Sequence, residues 1–227
     1  MRLDKFLSHA TELTRTLAKQ AIRQQRVRIN NQIARSAAQI ILDTDLITLD
    51  AEKLVLPENR YIMLHKPAGY VCTRDDAHHA SVFSLVSDSD ELHVAGRLDA
   101  DTTGLVLLTS NGQWSHRVTS PRHKCNKVYC VTLAQALSRE QAAQIEQGVI
   151  LHGENRPTLP AQLQGISDTQ LRLTLHEGKY HQVKRMFAAT GNEVIRLHRE
   201  SIGHVILDNN LQPGEWRNLT AAEYEAF

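Results

Sequence analysis

The residues best placed to do chemistry in this chain of 227 residues lie between Val94 and Gly112, in the run Val-Ala-Gly-Arg-Leu-Asp-Ala-Asp-Thr-Thr-Gly-Leu-Val-Leu-Leu-Thr-Ser-Asn-Gly. An apolar segment leads into Gly96-Arg97-Leu98-Asp99, and a polar turn ends at Gly104. Leu105 to Leu108 is then a short apolar run bounded by turn residues, the pattern of a buried strand. Asn111-Gly112 reads as a tight turn that closes the unit. The spacing predicts an aspartate at the mouth of a loop between two strands. Side chains two apart on an extended chain share a face, so Arg97 and Asp99 are expected to point the same way. A cation so close would keep the carboxylate ionised.

Three functional readings compete with a structural one at this aspartate. A calcium loop fails, because Thr103 stands at its fifth position and Ser110 at its twelfth, where a bidentate glutamate is needed. Asp99-x-Asp101-x-Thr103 also fits the short aspartyl-phosphate pattern of magnesium phosphohydrolases. That chemistry needs a later acidic pair, and the distal half offers isolated acids such as Glu193 and Asp208. On local chemistry alone, a solvated Asx-type turn is favoured. The third reading needs the whole chain.

Other reactive types are less pointed. Tyr129 lies in Lys127-Val128-Tyr129-Cys130-Val131-Thr132-Leu133, whose alternation puts Tyr129, Val131 and Leu133 on a core face. His176, His181, His198 and His204 have no acid or cysteine at ligand spacing, and the zinc-deaminase signature is absent, so no metal is expected. Cys72, Cys125 and Cys130 are odd in number and lack metal spacing, which predicts a reducing cytoplasm, with Cys125 and Cys130 as small buried residues. No secretory segment or membrane span is visible.

The elements that must position these residues follow. Composition is that of a folded protein, 41% hydrophobic and 22% charged, long enough for one moderate domain and a small one. Net charge is +1, but its distribution is uneven. From Met1 to Leu42 the bases are Arg2, Lys5, Arg15, Lys19, Arg23, Arg26, Arg28 and Arg35, against Asp4 and Glu12: eight against two. Leu3, Phe6 and Leu7 mark a short helix; a second, capped by Thr14, turns Leu17, Ala18, Ala21 and Ile22 inward. Arg15, Lys19, Arg23 and Arg26 then form an outward stripe suited to phosphates. Val27 and Ile29 alternate as a strand, and Leu46 to Leu49 supplies another. Residues 57–60, polar and opened by Pro57, read as a linker between domains at 1–56 and 61–227, free to rotate.

Beyond it come a strand at Tyr61 to His65, a Pro-x-Gly turn at Pro67 to Gly69, and a helix over Gln113 to Thr119. Ser120 to Lys124 is a basic loop. A helix capped by Ser138 and Gln141 ends near Gly148. Strands are expected at Val149 to Leu151 and Gln170 to Leu175. A helix opens at Glu177 and stops near Gly191, with Val183, Met186 and Phe187 as its apolar stripe. Strands at Glu193 to Arg199 and Val205 to Leu207 and a last helix capped by Thr220 finish the chain.

Gly96-Arg97-Leu98-Asp99-x-x-Thr102-Thr103-Gly104-Leu105-x-Leu107-Leu108-Thr109 resembles the catalytic-aspartate motif of the RsuA/RluB/E/F branch of the RNA pseudouridine synthases. Leu64 to Cys72 resembles their first strand with its Lys-Pro-x-Gly turn, Lys127-x-Tyr129 their second motif, and Gly178-Lys179-x-His181-Gln182-Val183-Lys184-Arg185-Met186 their third. Arg2 to Leu7, Thr14-Arg15 and Ile22 to Asn30 resemble the S4 RNA-binding domain. The S4 family usually has glycine where Gln25 stands, so a left-handed backbone there would be strained. The fold implied is α+β: a small S4 (αL-type) domain and a larger catalytic domain on a mixed, mainly antiparallel sheet flanked by helices.

The resemblance implies an isomerase that turns uridine into pseudouridine without a metal or cofactor. Asp99 is the implied catalytic aspartate, acting by attack at C1′ or by taking the C2′ proton. Tyr129 packs on the uracil and is a proposed base for the C5 proton, while Lys184, ahead of Arg185, sits beside the aspartate. Arg97 fills the vacated stack or holds the flipped phosphate. Arg2, Lys5, Arg15, Lys19, Arg23, Arg26 and Arg28 are the implied RNA contacts of the S4 domain. Looser segments, Gly112 to Arg117 and Thr119 to His123, look most like the small-subunit members. They point to 16S rRNA, the uridine at position 516, in an assembling particle, with a monomeric enzyme. A large-subunit substrate and a non-catalytic S4-type assembly factor are the alternatives.

Overall fold

Apolar residues at helical spacing organise the start of the chain. Leu3, Phe6 and Leu7 are buried on one face of α1 (Leu3–Ala10), against Ala18, Ala21 and Ile22 of α2 (Arg15–Arg23). The computed structural model describes residues 1–120 and 125–227, which fall into two units, Met1–Glu58 and Asn59–Phe227. The expected basic loop beyond Ser120 lies outside the described residues.

In the first unit Thr14 caps α2 by accepting from the Leu17 N–H at 3.3 Å. Leu17 itself is 46% exposed, not inward, because it stands about a quarter turn from the centre of the face set by Ala18, Ala21 and Ile22. Strands β1 (Val27–Ile29), β2 (Gln32–Ile33), β3 (Ile47–Leu49) and β4 (Glu52–Lys53) pair antiparallel in the order β2-β1-β3-β4. Val27, Ile29 and Ile47 close the core from the sheet side. Between α2 and β1, Gln25 takes the left-handed backbone at φ +60°, so the glutamine carries the strain expected of it, about 1–2 kcal/mol. Asn30 and Asn31 make the next turn at φ +50° and +67°, where asparagine is better tolerated.

The second unit is built on β5 (Tyr61–Lys66), β6 (Tyr70–Val71), β7 (Ala80–Ser81), β8 (His93–Ala95), β9 (Thr103–Thr109), β10 (Lys127–Leu133), β11 (Gln162–Gly165), β12 (Gln170–Leu175), β13 (Val194–Ile202), β14 (Val205–Ile206) and β15 (Trp216–Asn218). Its helices are α3 (Gly112–Thr119), α4 (Arg139–Gln147), α5 (Gln182–Ala189) and α6 (Ala221–Glu225). The main sheet runs β11-β12-β10-β13-β9-β5-β15, antiparallel except where β13 meets β9. Strand β9 is buried on both faces, as its continuous apolar run predicts. Val106 and Leu108 enter one core with Val131, Leu173, Val183, Met186 and Phe187, while Leu105 and Leu107 enter another with Trp114, Val118 and Val205. Helices therefore flank both faces.

Several local expectations are corrected. Asn111-Gly112 is no hairpin turn: the Asn111 side chain accepts from the Gln113 and Trp114 N–H groups and caps α3. Val149 to Leu151 forms no strand, only a single bridge from Ile150 to Pro157. Helix α5 starts at Gln182, because Glu177 and Lys179 spend their groups on Gln182: its Nε2 donates to Glu177 Oε1 at 2.7 Å and its Oε1 accepts from the Lys179 N–H at 2.8 Å. Cys125 and Cys130 are half-buried, Cys130 on the outer face of β10, and Cys72 is the buried one.

Candidate active site

Strand β9 forks from its neighbours at the point where Asp99 is presented. One edge of β9 pairs with β13 at Thr103 and Gly104 and with β8 from Leu107 to Thr109. Gly104 lies directly against the Arg199 backbone, where a Cβ would stand 2.3 Å from its carbonyl oxygen, so only glycine fits. The gap of the fork is filled by the Arg199 side chain. Its Nε donates to Leu105 O at 2.8 Å, Nη2 to Gly96 O at 2.6 Å and Nη1 to Arg97 O at 3.2 Å.

A second buried cation holds the other end of the same loop. Lys66, fully buried at the end of β5, donates from Nζ to Thr102 O at 2.7 Å, Pro67 O at 3.0 Å and Ala100 O at 3.1 Å. Burial pushes its pKa below the usual lysine value. The Lys-Pro-x-Gly turn closes no hairpin. It docks on the loop, with the Gly69 N–H donating to Ala100 O at 2.8 Å, and leads to β6, which pairs parallel with β7. The Leu98 N–H donates to Cys72 Sγ at 3.4 Å. Four carbonyls of the loop, those of Gly96, Arg97, Ala100 and Thr102, thus turn onto two buried cations.

The Asp99 carboxylate faces the first turn of α5. Its Oδ2 is 3.3 Å from Lys184 Nζ and its Oδ1 is 3.3 Å from His181 Nε2. Lys184 also donates to Asp101 Oδ1 at 2.5 Å. Burial opposes ionisation of Asp101, but Lys184 outweighs it and holds that carboxyl below its ordinary value. The helix end that supplies these contacts is the one whose dipole favours negative charge. His181 adopts a left-handed backbone, φ +47°, to begin α5. Arg185 turns away, to Glu154 Oε1 at 3.1 Å and the carbonyls of His152 and Tyr180.

Tyr129 is buried on β10, opposite Arg199 of β13, whose guanidinium carbon is 6.0 Å from its ring centre. No buried side-chain polar atom lacks a partner among the described residues. Arg97 is exposed and forms no ion pair with Asp99 among the described residues. The expected alternation is lost because the chain leaves the strand at Gly96, φ +96°.

The basic face of the first unit divides in two. Lys5, Arg15, Lys19 and Arg23 are exposed. Arg26 lies beyond α2 and pairs with Asp50 at 2.5 Å, Arg2 pairs with Asp4 at 2.8 Å, and Arg28 donates to Asn31 O at 3.0 Å. Among the described residues no group of three or more His, Cys, Asp or Glu is placed to hold a metal ion, and no helix is long and apolar enough to cross a membrane.

Residues 60–189 match the family model for RNA pseudouridylate synthase. The chain belongs to this family. Residues 1–47 match the S4 domain. Over 98% of its length the chain is 50% identical to ribosomal small subunit pseudouridine synthase A of Vibrio cholerae, covering 97% of that protein. It is equally similar to the protein of that name from Escherichia coli, with 98% of each covered. A crystal structure of a pseudouridylate synthase superposes with a TM-score of 0.73 at 48% identity, covering 100% of this chain and 99% of that one. The two-part α+β architecture implied by the resemblance is that of this synthase family.

His181, Asp101, Lys66 and Arg199 stand around Asp99 and its loop, and none of them is among the catalytic candidates read from the sequence. His181 precedes Lys184 by three positions at a helix start, which puts both on one face. Lys66 and Arg199 sit in strands, where a buried cation leaves no mark in the hydrophobic pattern.

Proposed function

We propose that this synthase converts a uridine of small-subunit (16S) ribosomal RNA, the one at position 516, to pseudouridine, with Asp99 as the catalytic residue. Relatives named for small-subunit rRNA match nearly the whole chain, which supports the substrate. The observation that carries the residue is the placement of its carboxylate, 3.3 Å from both Lys184 and His181, on a loop whose main chain is held by Lys66 and Arg199.

The target is stacked in folded RNA, so the nucleotide must be extruded. Arg97, exposed beside the aspartate, fills the vacated stack or holds the phosphate. Asp99 acts at the ribose, by attack at C1′ or removal of the C2′ proton, and Lys184 orients it. The C1′–N1 bond breaks, the uracil turns, a C1′–C5 bond forms, the C5 proton leaves and N1 gains a proton, so product and substrate are isomers. Tyr129, buried on β10 opposite Arg199, receives the C5 proton. Lys5, Arg15, Lys19 and Arg23 supply phosphate contacts. The substrate is an assembling particle in the cytoplasm, and the enzyme acts as a monomer.

Tritium release from small-subunit rRNA labelled at uridine C5 tests this. Wild type should release tritium and Asp99→Asn should not; release by Asp99→Asn at the wild-type rate would remove Asp99 from the mechanism.

A further inference from the structure

One aromatic side chain stands beside the carboxylate and has no part in the chemistry above. Tyr180 is 76% exposed, yet its ring lies flat on His181, with centroids 3.8 Å apart and planes 19° from parallel. His181 in turn places Nε2 3.3 Å from Asp99 Oδ1. The two rings form a short stack, met at the His181 edge by the carboxylate and ending in an open tyrosine face.

A single exposed tyrosine is ordinary. The backbone beneath this one is not. His181 is held at φ +47°, a left-handed conformation unfavourable to any residue with a Cβ. The surroundings fix it from three sides: Arg185 Nη1 donates to Tyr180 O at 3.0 Å, the Lys179 N–H donates to Gln182 Oε1 at 2.8 Å, and Lys179 Nζ pairs with Glu154. Strain that its surroundings over-determine, next to a reactive carboxylate, points to function.

We propose that Tyr180, backed by His181, is a stacking platform for an unpaired nucleobase of the substrate RNA, one that flanks the target uridine. The inference rests on Asp99 being the site of chemistry on RNA. Every base has a flat π face that stacks on an aromatic ring, and single-stranded RNA is commonly held in this way. Extruding the uridine breaks the stack around it and leaves a neighbour in need of a new surface. A base on the open face of Tyr180 has the tyrosine ring between it and His181, the residue that meets Asp99. That separation suits a flanking nucleotide and excludes the target, whose ribose must reach the carboxylate.

The test is a cycle between protein and RNA. Small-subunit rRNA, ligated from pieces and presented both free and within an assembling particle, is prepared unmodified and with an abasic nucleotide at each position flanking the target in turn. Tritium release is measured for wild type, Tyr180→Phe and Tyr180→Leu, whose folding is checked by thermal unfolding. Stacking predicts a KM raised about 5- to 150-fold in Tyr180→Leu, with kcat within about twofold, and near-wild-type behaviour in Tyr180→Phe. At one flanking position the abasic RNA should cost wild type the same factor and cost Tyr180→Leu nothing more. An unchanged KM in Tyr180→Leu, or additive losses at every flanking position, would overturn the platform while leaving the site intact. No release by wild type itself would instead overturn the substrate reading on which the platform depends.

Discussion

Replacing Lys66 with methionine tests whether two buried cations set the position of Asp99. Methionine keeps the length and volume of the side chain and removes its charge and donors. Three carbonyls lose a partner, those of Pro67, Ala100 and Thr102. Ala100 O retains the Gly69 N–H, so two acceptors are orphaned. At about 1–3 kcal/mol for each unsatisfied buried acceptor, the loss is about 2–6 kcal/mol. The desolvation penalty of the ammonium, which lowers its pKa, disappears with the charge and brings the net towards the lower half of that range, about 3 kcal/mol. Urea unfolding should show this as a lower midpoint with an unchanged slope. The freed carbonyls flank Asp99, and a displacement of about 1 Å at a reacting group costs roughly 100-fold. Tritium release should therefore show a fall in kcat of that order with KM nearly constant. Wild-type stability together with wild-type kcat in Lys66→Met would refute the idea that the loop hangs on this cation. A stability loss with kcat intact would reduce Lys66 to a fold residue.

Gly104→Ala should destabilise the second unit by more than about 4 kcal/mol, since its Cβ would stand 2.3 Å from Arg199 O in a backbone at φ +108°; a thermal midpoint near wild type would show that β9 and β13 can separate. Arg217 holds the Glu223 carboxyl down at about 2, below its ordinary 4.5, so the pair stabilises the fold fully above about pH 4.5 and progressively less as pH falls towards 2. Glu223→Gln should thus cost about 1–2 kcal/mol at pH 7 and nothing near pH 2, and an equal cost at both would refute the linkage. Replacing Arg15, Lys19 and Arg23 together by glutamine should flatten the salt dependence of rRNA binding by about two log units per log unit of salt, whereas Arg26→Gln, which removes a cation already paired with Asp50, should change the slope little. Equal effects from the triple change and from Arg26 would contradict this division of the basic face.

The parts of this molecule legible in its sequence are those where one local rule acts alone. Period-two patterning marks β10 and puts Tyr129 inside; a continuous apolar run marks β9 as buried on both faces; Thr14, Ser138 and Thr220 cap helices where their spacing from the next acceptor or amide requires. The errors fall where two rules compete. Asn111-Gly112 has the composition of a hairpin turn, yet with an amphipathic segment following, the asparagine side chain does better satisfying two free helix amides. Arg97 and Asp99 would share a face on a strand, and they do not, because Arg199 draws the carbonyls of Gly96 and Arg97 inward and the chain stops being a strand. That same event explains the site. Held through four of its carbonyls by Lys66 and Arg199, the loop keeps Leu98 in the core and leaves Asp99 facing the start of α5, positioned by two cations that do not touch it in a hydrogen bond. The partners of the carboxylate, His181 and Lys184, then come from a segment over eighty residues away, joined to it through the β13–β9 pairing that Gly104 permits. Reactive residue types are visible in a sequence one at a time; their convergence depends on buried polar groups that hydrophobic patterning treats as noise.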